Sequence, residues 1–334
     1  MRAVVITKHG APEVLQVQER PDPAPPGPGE VRVAVAAAGV NFADVMARQG
    51  LYEAAPKPPA VVGYEVAGTI AELGEGVTEV ALGDRVAAGT RFGGYAEQVV
   101  VGANQVVPLP DHLSFAQGAA FPVNYATAWA GLMAYANLQP GERVLLHAAA
   151  GGVGIAATQI AKLRGAEIWG TASPGKHEAI RGFGVDHPLD YTKDGWERGL
   201  PELDVIMDAV GGESLRRSYG MLAAGGRVVA FGASSVVTGE KRNLLKAAPQ
   251  ALRMLRGFDL IKQMEESKAV IGLNMLALWD ARGTLEPWVA PLRPLLAEGK
   301  IEPVVSEEVP FARAADAHRA LGERRNVGKV VLVP

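Results

Sequence analysis

The sequence predicts a mixed α/β protein in which an irregular β-barrel is followed by a parallel sheet packed between helices. Up to about residue 120, short apolar runs alternate with Gly and Pro, as in a barrel of short strands. From about 120 to 273, short apolar strands alternate with helical segments, as in βαβ units buried on both faces. A chain of 334 residues is also long enough for about two domains.

The barrel part is predicted from apolar runs that are separated by turn signals. A Pro-rich bridge, Pro21–Gly29, divides the second strand from the third, and glycine pairs mark later turns. The predicted strands are Ala3–Thr7, Val14–Glu19, Val31–Ala37, Glu65–Leu73, Asp84–Ala87 and Tyr95–Val101, with one short helix at Ala43–Gln49.

The parallel-sheet part is predicted from strands that are apolar throughout, each followed by a helical segment. The predicted strands are Val144–His147, Glu167–Gly170, Val205–Met207, Arg227–Phe231 and Val270–Leu273. The predicted helices are Val153–Arg164, Lys176–Phe183, Glu213–Leu222 and a longer stretch to about Gly257. Beyond residue 274, a helical stretch at Leu276–Glu298 and a last strand at Val330–Val333 are expected.

Composition excludes several classes of function. Hydrophobic residues make up 48% and charged residues 21%, which is typical of a folded globular protein. With 33 basic and 36 acidic residues there is no basic excess for nucleic-acid binding. The absence of cysteine excludes disulfides, cysteine zinc sites and a thiol nucleophile. The start of the chain has no signal-peptide pattern, and the uncharged stretch His112–Gly141 contains Pro and Asn, so we expect a cytoplasmic protein without a transmembrane segment.

The most informative motif follows the first strand of the parallel sheet. It is Ala149-x-Gly151-x-x-Gly154, a variant of the dinucleotide-binding pattern, and it opens an apolar helix. Gly151 lets a pyrophosphate approach the backbone, and Gly154 lets the helix pack against the strand. The N–H groups of the helix start, at Gly152 and Val153, would face the phosphates. The alternative is a tight strand–helix turn that holds no ligand.

The end of the second strand indicates which dinucleotide is bound. NAD-binding folds place an acidic residue there for the ribose 2′-hydroxyl, but Gly170–Lys176 contains neither Asp nor Glu. Ser173 and Lys176 would instead bind a 2′-phosphate, which predicts NADPH. The alternative for Lys176 is a solvated lysine at the start of a helix.

Several motifs resemble the medium-chain dehydrogenase/reductase superfamily, in its zinc-independent quinone oxidoreductase branch and nearest the vesicle-amine-transport-type subgroup. They are Gly39–Asp44, Arg48–Tyr52, Gly63–Gly68, Gly83–Val86, Ala148–Gly154 and Asn326–Leu332, and for the subgroup Asn124–Ala128, Thr171–Ala179 and Lys241–Leu244.

This resemblance implies how the two parts are arranged, which the hydrophobic periodicity alone does not predict. A Rossmann doubly wound parallel sheet, residues 123–273, would be inserted into a GroES-like β-barrel domain made of residues 1–122 and completed by 274–334. The active-site cleft would lie at their junction. The resemblance also implies a homodimer formed through the last Rossmann strand, Val270–Leu273.

The resemblance also raises the question of a metal. Zinc alcohol dehydrogenases of this superfamily hold a catalytic zinc with Cys, His and Cys. The corresponding positions here are Asn41, Tyr64 in Gly63-Tyr64-Glu65, and a third at or beside Val123. These are not zinc ligands, and the histidines show no metal-binding spacing. We therefore predict no metal.

The remaining candidate site residues are implied by the resemblance. Asn41 and Thr127 would lie near the nicotinamide and substrate, and Tyr52 and Tyr64 would donate a hydrogen bond to a substrate oxygen. Cofactor contacts would come from Tyr191, Phe231, Gly232, Ala233, Asn326 and Lys329. The alternatives are a structural amide for Asn41, ordinary packing for the tyrosines, a surface aromatic for Tyr191, a plain turn glycine for Gly232 and a solvated edge-strand charge for Lys329.

Together these observations predict an NADPH-dependent reductase that transfers a hydride to a small electrophile, either a quinone or an α,β-unsaturated carbonyl, without metal. Met46 stands where many quinone reductases carry a tyrosine. The resemblance therefore supports NADPH as the cofactor more strongly than it supports a quinone as the substrate. Two alternatives stay open: an NADPH-binding scaffold with little catalysis, and a zinc alcohol dehydrogenase.

Overall fold

The computed structural model describes residues 1–237, 239–240, 248–250, 252–253 and 257–334. The chain divides into two compact units, of which the first comprises Met1–Asn124, Gly239–Arg242 and Leu276–Pro334. The second comprises Tyr125–Thr238 and Asn243–Met275. Two expectations, the Lys241–Leu244 motif and the end of the long helical stretch before Gly257, lie wholly or mostly outside the described residues.

The strands of the described residues are β1 (Arg2–Ile6), β2 (Leu15–Glu19), β3 (Glu30–Val40), β4 (Ala60–Val61), β5 (Glu65–Leu73), β6 (Arg85–Gly89), β7 (Gln98–Gly102), β8 (Val106–Pro108), β9 (Arg143–Leu146), β10 (Glu167–Ala172), β11 (His187–Asp190), β12 (Leu203–Asp208), β13 (Leu222–Ala230), β14 (Ala269–Gly272), β15 (Val305–Pro310) and β16 (Lys329–Val333).

The α-helices of the same residues are α1 (Phe42–Gln49), α2 (Phe115–Gly118), α3 (Pro122–Trp129), α4 (Gly152–Leu163), α5 (His177–Gly182), α6 (Glu213–Gly220), α7 (Leu260–Glu266), α8 (Met275–Arg282), α9 (Glu286–Val289), α10 (Arg293–Ala297) and α11 (Ala314–Gly322). Short 3₁₀ turns accompany them, and a π-helix follows α3 at Ala130–Tyr135. Among these described helices, none has the length and apolar character needed to cross a membrane.

The first unit is built on two sheets, and the larger one joins strands from its N-terminal and C-terminal segments. A small antiparallel sheet has the order β2-β1-β4, and a larger one has the order β15-β16-β3-β5-β6-β8, with β7 also paired to β3. Alternate residues of β3, such as Val31 and Val33, point into the core. The last strand pairs antiparallel with β3, and Val330 lies opposite Val40. This register brings the start of β16 beside the residue that follows β3.

The second unit contains one parallel sheet of six strands in the order β11-β10-β9-β12-β13-β14. Its central strands are buried along their length, as the apolar runs Val144–Leu146 and Val205–Met207 show. This is the doubly wound order expected for a Rossmann domain, with β14 at one edge.

Several predicted element bounds were wrong, each for a local reason. The expected strand at Tyr95 begins only at Gln98, because the backbone carbonyl of Tyr95 pairs with Val4 of β1 instead. The expected helix at Lys176 begins at His177, after a 3₁₀ turn at Pro174–Lys176. The stretch Leu276–Glu298 is broken into α8, α9 and α10, because Gly283 leaves the helix with φ 70° and prolines start the two later helices.

Candidate active site

The glycine turn of the second unit has the geometry of a phosphate-binding site. A Cβ on Gly154 would lie 2.4 Å from the carbonyl oxygen of Ala148, so only glycine fits there. Gly151 is the N-cap of α4 and offers no side-chain cap. The N–H groups of Gly152, Val153 and Gly154 therefore have no intrahelical acceptor and face outward at the positive end of the helix. This arrangement can bind an anion.

A buried hydrogen-bond chain supports the start of this turn. Ser218 Oγ donates to Asp208 Oδ2 at 3.0 Å and lies 3.0 Å from His147 Nε2. Because the hydroxyl hydrogen is used on Asp208, Ser218 accepts from His147 Nε2–H, which leaves Nδ1 as the acceptor toward Thr171 Oγ1 at 3.5 Å. Thr171 Oγ1 also accepts from the backbone N–H of Ala148 at 3.2 Å. Burial lowers the pKa of His147, which keeps the imidazole neutral in this chain.

The residues predicted to determine the preference for NADPH over NADH lie together at the end of β10. Ser173 is the N-cap of the 3₁₀ turn Pro174–Lys176, and both Ser173 and Lys176 are half-buried. Burial lowers the pKa of Lys176. Tyr191, just after β11, is exposed, as its surface-aromatic alternative expects. Their contacts with a nucleotide remain predictions.

The other predicted cofactor-binding residues of the second unit lie in α3 and after β13, and they differ in burial. Thr127 is buried in α3. Phe231, Gly232 and Ala233 follow β13, and all three are half-buried. A Cβ on Gly232 would lie 2.6 Å from the carbonyl oxygen of Ala209, so this glycine is required by the close approach of a neighbouring strand end.

In the first unit, a set of polar side chains converges on the ammonium group of Lys329, and we call this set the ammonium cage: Lys329, Glu65, Asn41 and Asn124. Lys329 Nζ donates to Glu65 Oε1, to Asn41 Oδ1 at 2.6 Å and to Asn124 Oδ1 at 3.4 Å. Glu65 Oε2 accepts from the backbone N–H of Val123 at 2.8 Å. Lys329 is 3% exposed and Glu65 0%. Lys329 is therefore not a solvated edge charge.

The fold brings the cage together from four separate parts of the sequence. Lys329 begins β16, which the register with β3 places beside Asn41. Glu65 begins β5, and Asn124 lies in the first turn of α3. Asn326 is not a member of the cage: its Nδ2 donates to the carbonyl oxygen of Gly328 at 2.7 Å and so closes the turn before β16.

A second buried group lies next to Asn41. Asp44 Oδ2 accepts from the N–H of Asn41 at 2.8 Å, and Asp44 Oδ1 accepts from the N–H of Gly63 at 3.0 Å. The hydroxyl of Tyr95 also donates to Asp44 Oδ2. Burial raises the pKa of Asp44 to about 7, against the lowering effect of these hydrogen bonds and of the Lys329 charge. Asp44 thus fixes the backbone at Asn41 and at the residue before Tyr64, and both Asn41 and Tyr64 are predicted catalytic residues.

Tyr64, which follows Gly63, has an unusual hydroxyl group. It is 6% exposed, and its Oη has no hydrogen-bond partner among the described residues. Its ring packs against Phe92 at 5.0 Å between centroids, and Phe92 has a φ of 81°. Burial raises the pKa of Tyr64, so the group is a neutral hydrogen-bond donor. Tyr52 packs half-buried against the core of the same unit.

Comparison with known proteins places this chain in a family. Residues 27–111 match the alcohol dehydrogenase GroES-like domain, and residues 183–332 match the zinc-binding dehydrogenase family. The human protein named synaptic vesicle membrane protein VAT-1 homolog is 38% identical over 100% of this chain and 86% of its own length. The chain belongs to the medium-chain dehydrogenase/reductase superfamily. Its relatives place it in the branch that holds the quinone oxidoreductases and the VAT-1 proteins.

Two solved structures of this superfamily are similar over nearly the whole chain. The quinone oxidoreductase of Escherichia coli, solved in complex with NADPH, has a TM-score of 0.85 and 31% identity, and covers 100% of both chains. The CurK enoyl reductase has a TM-score of 0.85 and 28% identity, and covers 99% of this chain and 98% of its own. These similarities confirm the fold class, a GroES-like domain with a Rossmann parallel sheet.

The superfamily includes zinc enzymes, but the residues here do not fit zinc. At the three ligand positions, Asn41 offers an amide, Tyr64 offers a neutral phenol and Val123 offers a backbone N–H that donates to Glu65. The ammonium group of Lys329 already binds the Glu65 carboxylate. Within the described ranges, no group of three His, Cys, Asp or Glu side chains is placed to hold a metal ion.

Sequence reasoning identified some members of this site and missed others. Asn41 and Lys329 were predicted singly, whereas their contact with each other was not. Glu65 was predicted only as the start of a strand and as part of the Gly63–Gly68 motif, and Asn124 only as part of a motif. The signal that could have found Glu65 is a carboxylate directly before the apolar run Val66–Gly68, because a carboxylate that is buried with such a run requires a partner.

Proposed function

We propose that this protein is an NADPH-dependent reductase that transfers a hydride to a quinone or to an α,β-unsaturated carbonyl compound without a metal ion. The observation that carries the proposal is the turn Ala148–Gly154, where glycine is sterically required and the first N–H groups of α4 are free for an anion. The similarity to a quinone oxidoreductase that was solved with NADPH supports the same cofactor here.

The residues of the second unit would bind the cofactor. The N–H groups of Gly152, Val153 and Gly154 would hold the pyrophosphate, which Gly151 lets approach the backbone, and Ser173 and Lys176 would hold the 2′-phosphate. No carboxylate in Gly170–Lys176 repels that phosphate. Further contacts are assigned to Thr127, Tyr191, Phe231, Gly232 and Ala233.

When bound, reduced nicotinamide supplies a hydride from C4. The acceptor gains that hydride and one proton from water, so a quinone becomes a quinol and an enone becomes a saturated ketone. Negative charge develops on the acceptor oxygen, and a neutral donor can stabilise it. Tyr64 is assigned this donation because its buried hydroxyl has no other partner in the described part of the chain. Tyr52 and Asn41 are assigned to orient the acceptor.

A metal ion is not needed for this chemistry. Alcohol oxidation requires stabilisation of an alkoxide, for which zinc is suited. Quinones and conjugated carbonyls accept a hydride directly, and the ammonium cage offers no zinc ligand set. We therefore expect metal-free catalysis rather than alcohol dehydrogenase activity.

The test is a steady-state assay of NADPH oxidation with a panel of quinones and enones, using protein dialysed against a chelator. We expect turnover with at least one acceptor class and no stoichiometric zinc by elemental analysis. Turnover that disappears on chelation and returns with zinc would contradict the proposal and favour a zinc alcohol dehydrogenase.

A second candidate function is a weakly catalytic NADPH-binding scaffold. The identity to the human VAT-1 homolog, which is named a synaptic vesicle membrane protein, favours it. It predicts tight NADPH binding by calorimetry together with background turnover for every acceptor in the panel, whereas the reductase requires both binding and turnover.

We also propose a homodimer formed through β14. This strand lies at the edge of the parallel sheet, so its outer backbone groups have no neighbouring strand within the described part of the chain. Leu260 and Met264 of α7 line a groove together with Val270 and Ile271 of β14. Leu260 is 69% and Met264 72% exposed, which is unusual for large apolar side chains in adjacent positions. A second copy of the chain would cover this surface.

A further inference from the structure

The ammonium cage has the form of a cation site that is filled from within the chain. Three acceptor oxygens, on Glu65, Asn41 and Asn124, converge on Lys329 Nζ. A lysine ammonium has three N–H groups, so each donor is matched by one oxygen. The single negative charge of Glu65 is balanced by the single positive charge of Lys329.

The members of the cage lie at or beside the positions where zinc members of the superfamily carry their ligands. Asn41 stands in place of the first cysteine, Glu65 follows Tyr64 at the histidine position, and Asn124 follows Val123 at the third. We propose that the Lys329 ammonium takes the place of the metal ion, and that it acts on the reaction through the side chain of Asn41. The second part rests on the proposed reductase function.

The hydrogen bonds of Asn41 show how such an action is transmitted. Its Oδ1 accepts from Lys329, and one N–H of its Nδ2 donates to Glu65 Oε1 at 3.0 Å. These two bonds fix the orientation of the amide and leave one N–H for a ligand. An amide whose oxygen accepts from a cation is a stronger donor through its nitrogen. Asn41 is half-buried while the other three cage residues are buried, so Asn41 is the cage's accessible member.

Lys329 is therefore a positioning residue, because its own donors are all used inside the cage. A merely structural ion pair would behave differently. Replacing both charges of a buried pair with neutral side chains of similar size is commonly tolerated, whereas removing one charge is strongly destabilising. A structural pair should thus be replaceable without loss of activity, and a positioning pair should not.

The kinetic test compares Lys329→Met, Glu65→Gln and the double variant. We expect each single variant to lose thermal stability and the double variant to recover most of it. The double variant should nevertheless show a fall in kcat of about a hundredfold, because the Asn41 amide is no longer fixed, with an unchanged Kd for NADPH. A stable double variant with the wild-type kcat would overturn the positioning role.

A matched control is the ion pair of Arg293 with Glu286, which lies in the same unit outside the cage, with 2.6 Å between Arg293 Nη2 and Glu286 Oε2. The double variant Glu286→Gln/Arg293→Met should keep the wild-type kcat. An equal fall of kcat in this control would show that loss of any ion pair in this unit slows the enzyme, and would also overturn the role.

The place of the ammonium is tested without any activity measurement. Asn41→Cys/Asn124→His supplies two metal ligands beside Glu65, and this pair is made with Lys329 and with Lys329→Ala, both purified with Co²⁺. We expect thiolate-to-cobalt charge-transfer absorption only in the variant without Lys329. Equal uptake by both variants, or no uptake by either, would overturn the proposal. If wild-type protein oxidises no NADPH but cobalt uptake follows this pattern, the reductase function fails and the place of the ammonium stands.

Discussion

The hydroxyl of Tyr95 donates to Asp44 Oδ2 at 3.0 Å, and both side chains are completely buried. The same carboxyl group accepts hydrogen bonds from the backbone N–H groups of Asn41 and Gly63. Asn41 directly precedes α1, and Gly63 directly precedes Tyr64. Tyr95 in turn lies with its hydroxyl 3.4 Å from His318 Nε2. The segments that carry the proposed catalytic residues are therefore held by one buried polar group rather than by surface loops.

Two tyrosine-to-phenylalanine substitutions separate substrate contact from structural support. Tyr64→Phe removes a buried hydroxyl without a partner in the described residues, so the free energy of unfolding should be unchanged or higher. Because that hydroxyl is assigned to the acceptor oxygen, kcat/KM for quinone should fall by about tenfold or more. Steady-state kinetics and urea unfolding measure the two effects.

The matched substitution is Tyr95→Phe, which removes the donor to Asp44. It should lower the free energy of unfolding by about 1–3 kcal/mol, because a buried acceptor loses a partner. A Tyr64→Phe variant that is destabilised as much as Tyr95→Phe, with unchanged kcat/KM, would contradict the role of Tyr64.

His318 makes the stability of the first unit sensitive to acid. Burial lowers its pKa from 6.5 to about 3, and its Nδ1 has no partner among the described residues. A depressed histidine pKa gives a contribution that is complete above the unfolded value and is lost as pH falls toward the folded value. Between pH 7 and 5 the wild type should lose about 2 kcal/mol more than His318→Phe. Urea unfolding at the two pH values checks this, and parallel losses in both proteins would contradict it.

Lys176→Ala should change cofactor preference rather than general affinity. The loss of a charged hydrogen bond to the 2′-phosphate should weaken NADPH binding by about tenfold to a hundredfold and leave NADH binding almost unchanged. Titration calorimetry measures both constants. Lys162→Ala, which breaks a surface ion pair with Asp186 in the same unit, should change neither. Equal losses for both cofactors in Lys176→Ala would refute the assignment.

Unlike Lys176→Ala, Ser218→Ala should lower the affinity for both cofactors without changing the preference between them. It interrupts the chain from Asp208 to His147 behind the phosphate turn, so NADPH and NADH should weaken by the same factor. Ser214 also donates to Asp208 Oδ2 at 3.0 Å but is not hydrogen-bonded to His147, which makes Ser214→Ala the control. Cofactor titrations in which the two serine variants behave alike would show that the link through His147 does not support the turn.

The proposed dimer is tested on its exposed apolar surface. Met264→Glu places a charge in the groove beside β14, so sedimentation should shift from a dimer toward the monomer mass of 35.0 kDa. Leu163→Glu, on an exposed apolar residue outside that groove, should leave the dimer intact. A Met264→Glu protein that sediments like the wild type would contradict an interface at this place.

The parts of the fold that were predicted well are those with a one-sided or continuous apolar pattern. The strand Glu65–Leu73 has the bounds that its sequence predicts, and the glycine turn opens its helix as expected. The strands β11 (His187–Asp190) and β15 (Val305–Pro310) were missed because both lie at sheet edges. Edge strands carry charges and proline on their exposed side, which removes the apolar signal.

The site could be predicted only as single residues. Asn41 and Lys329 stand 288 positions apart, and no local pattern shows that the register of β16 against β3 brings them together. From the sequence alone, a lysine at the start of a strand cannot be distinguished from a solvated charge on an edge strand. Its burial depends on Glu65, which belongs to yet another strand. Long-range pairing of this kind is decided by the tertiary fold.

The most direct measurement of the central proposal is single-turnover oxidation of NADPH by metal-free protein mixed with a benzoquinone, using NADPH with and without deuterium at the transferred position of C4. We predict stoichiometric formation of quinol, slowed by the deuterium and unaffected by chelator. Metal-free protein that binds NADPH and leaves the quinone unreduced would contradict direct hydride transfer without a metal.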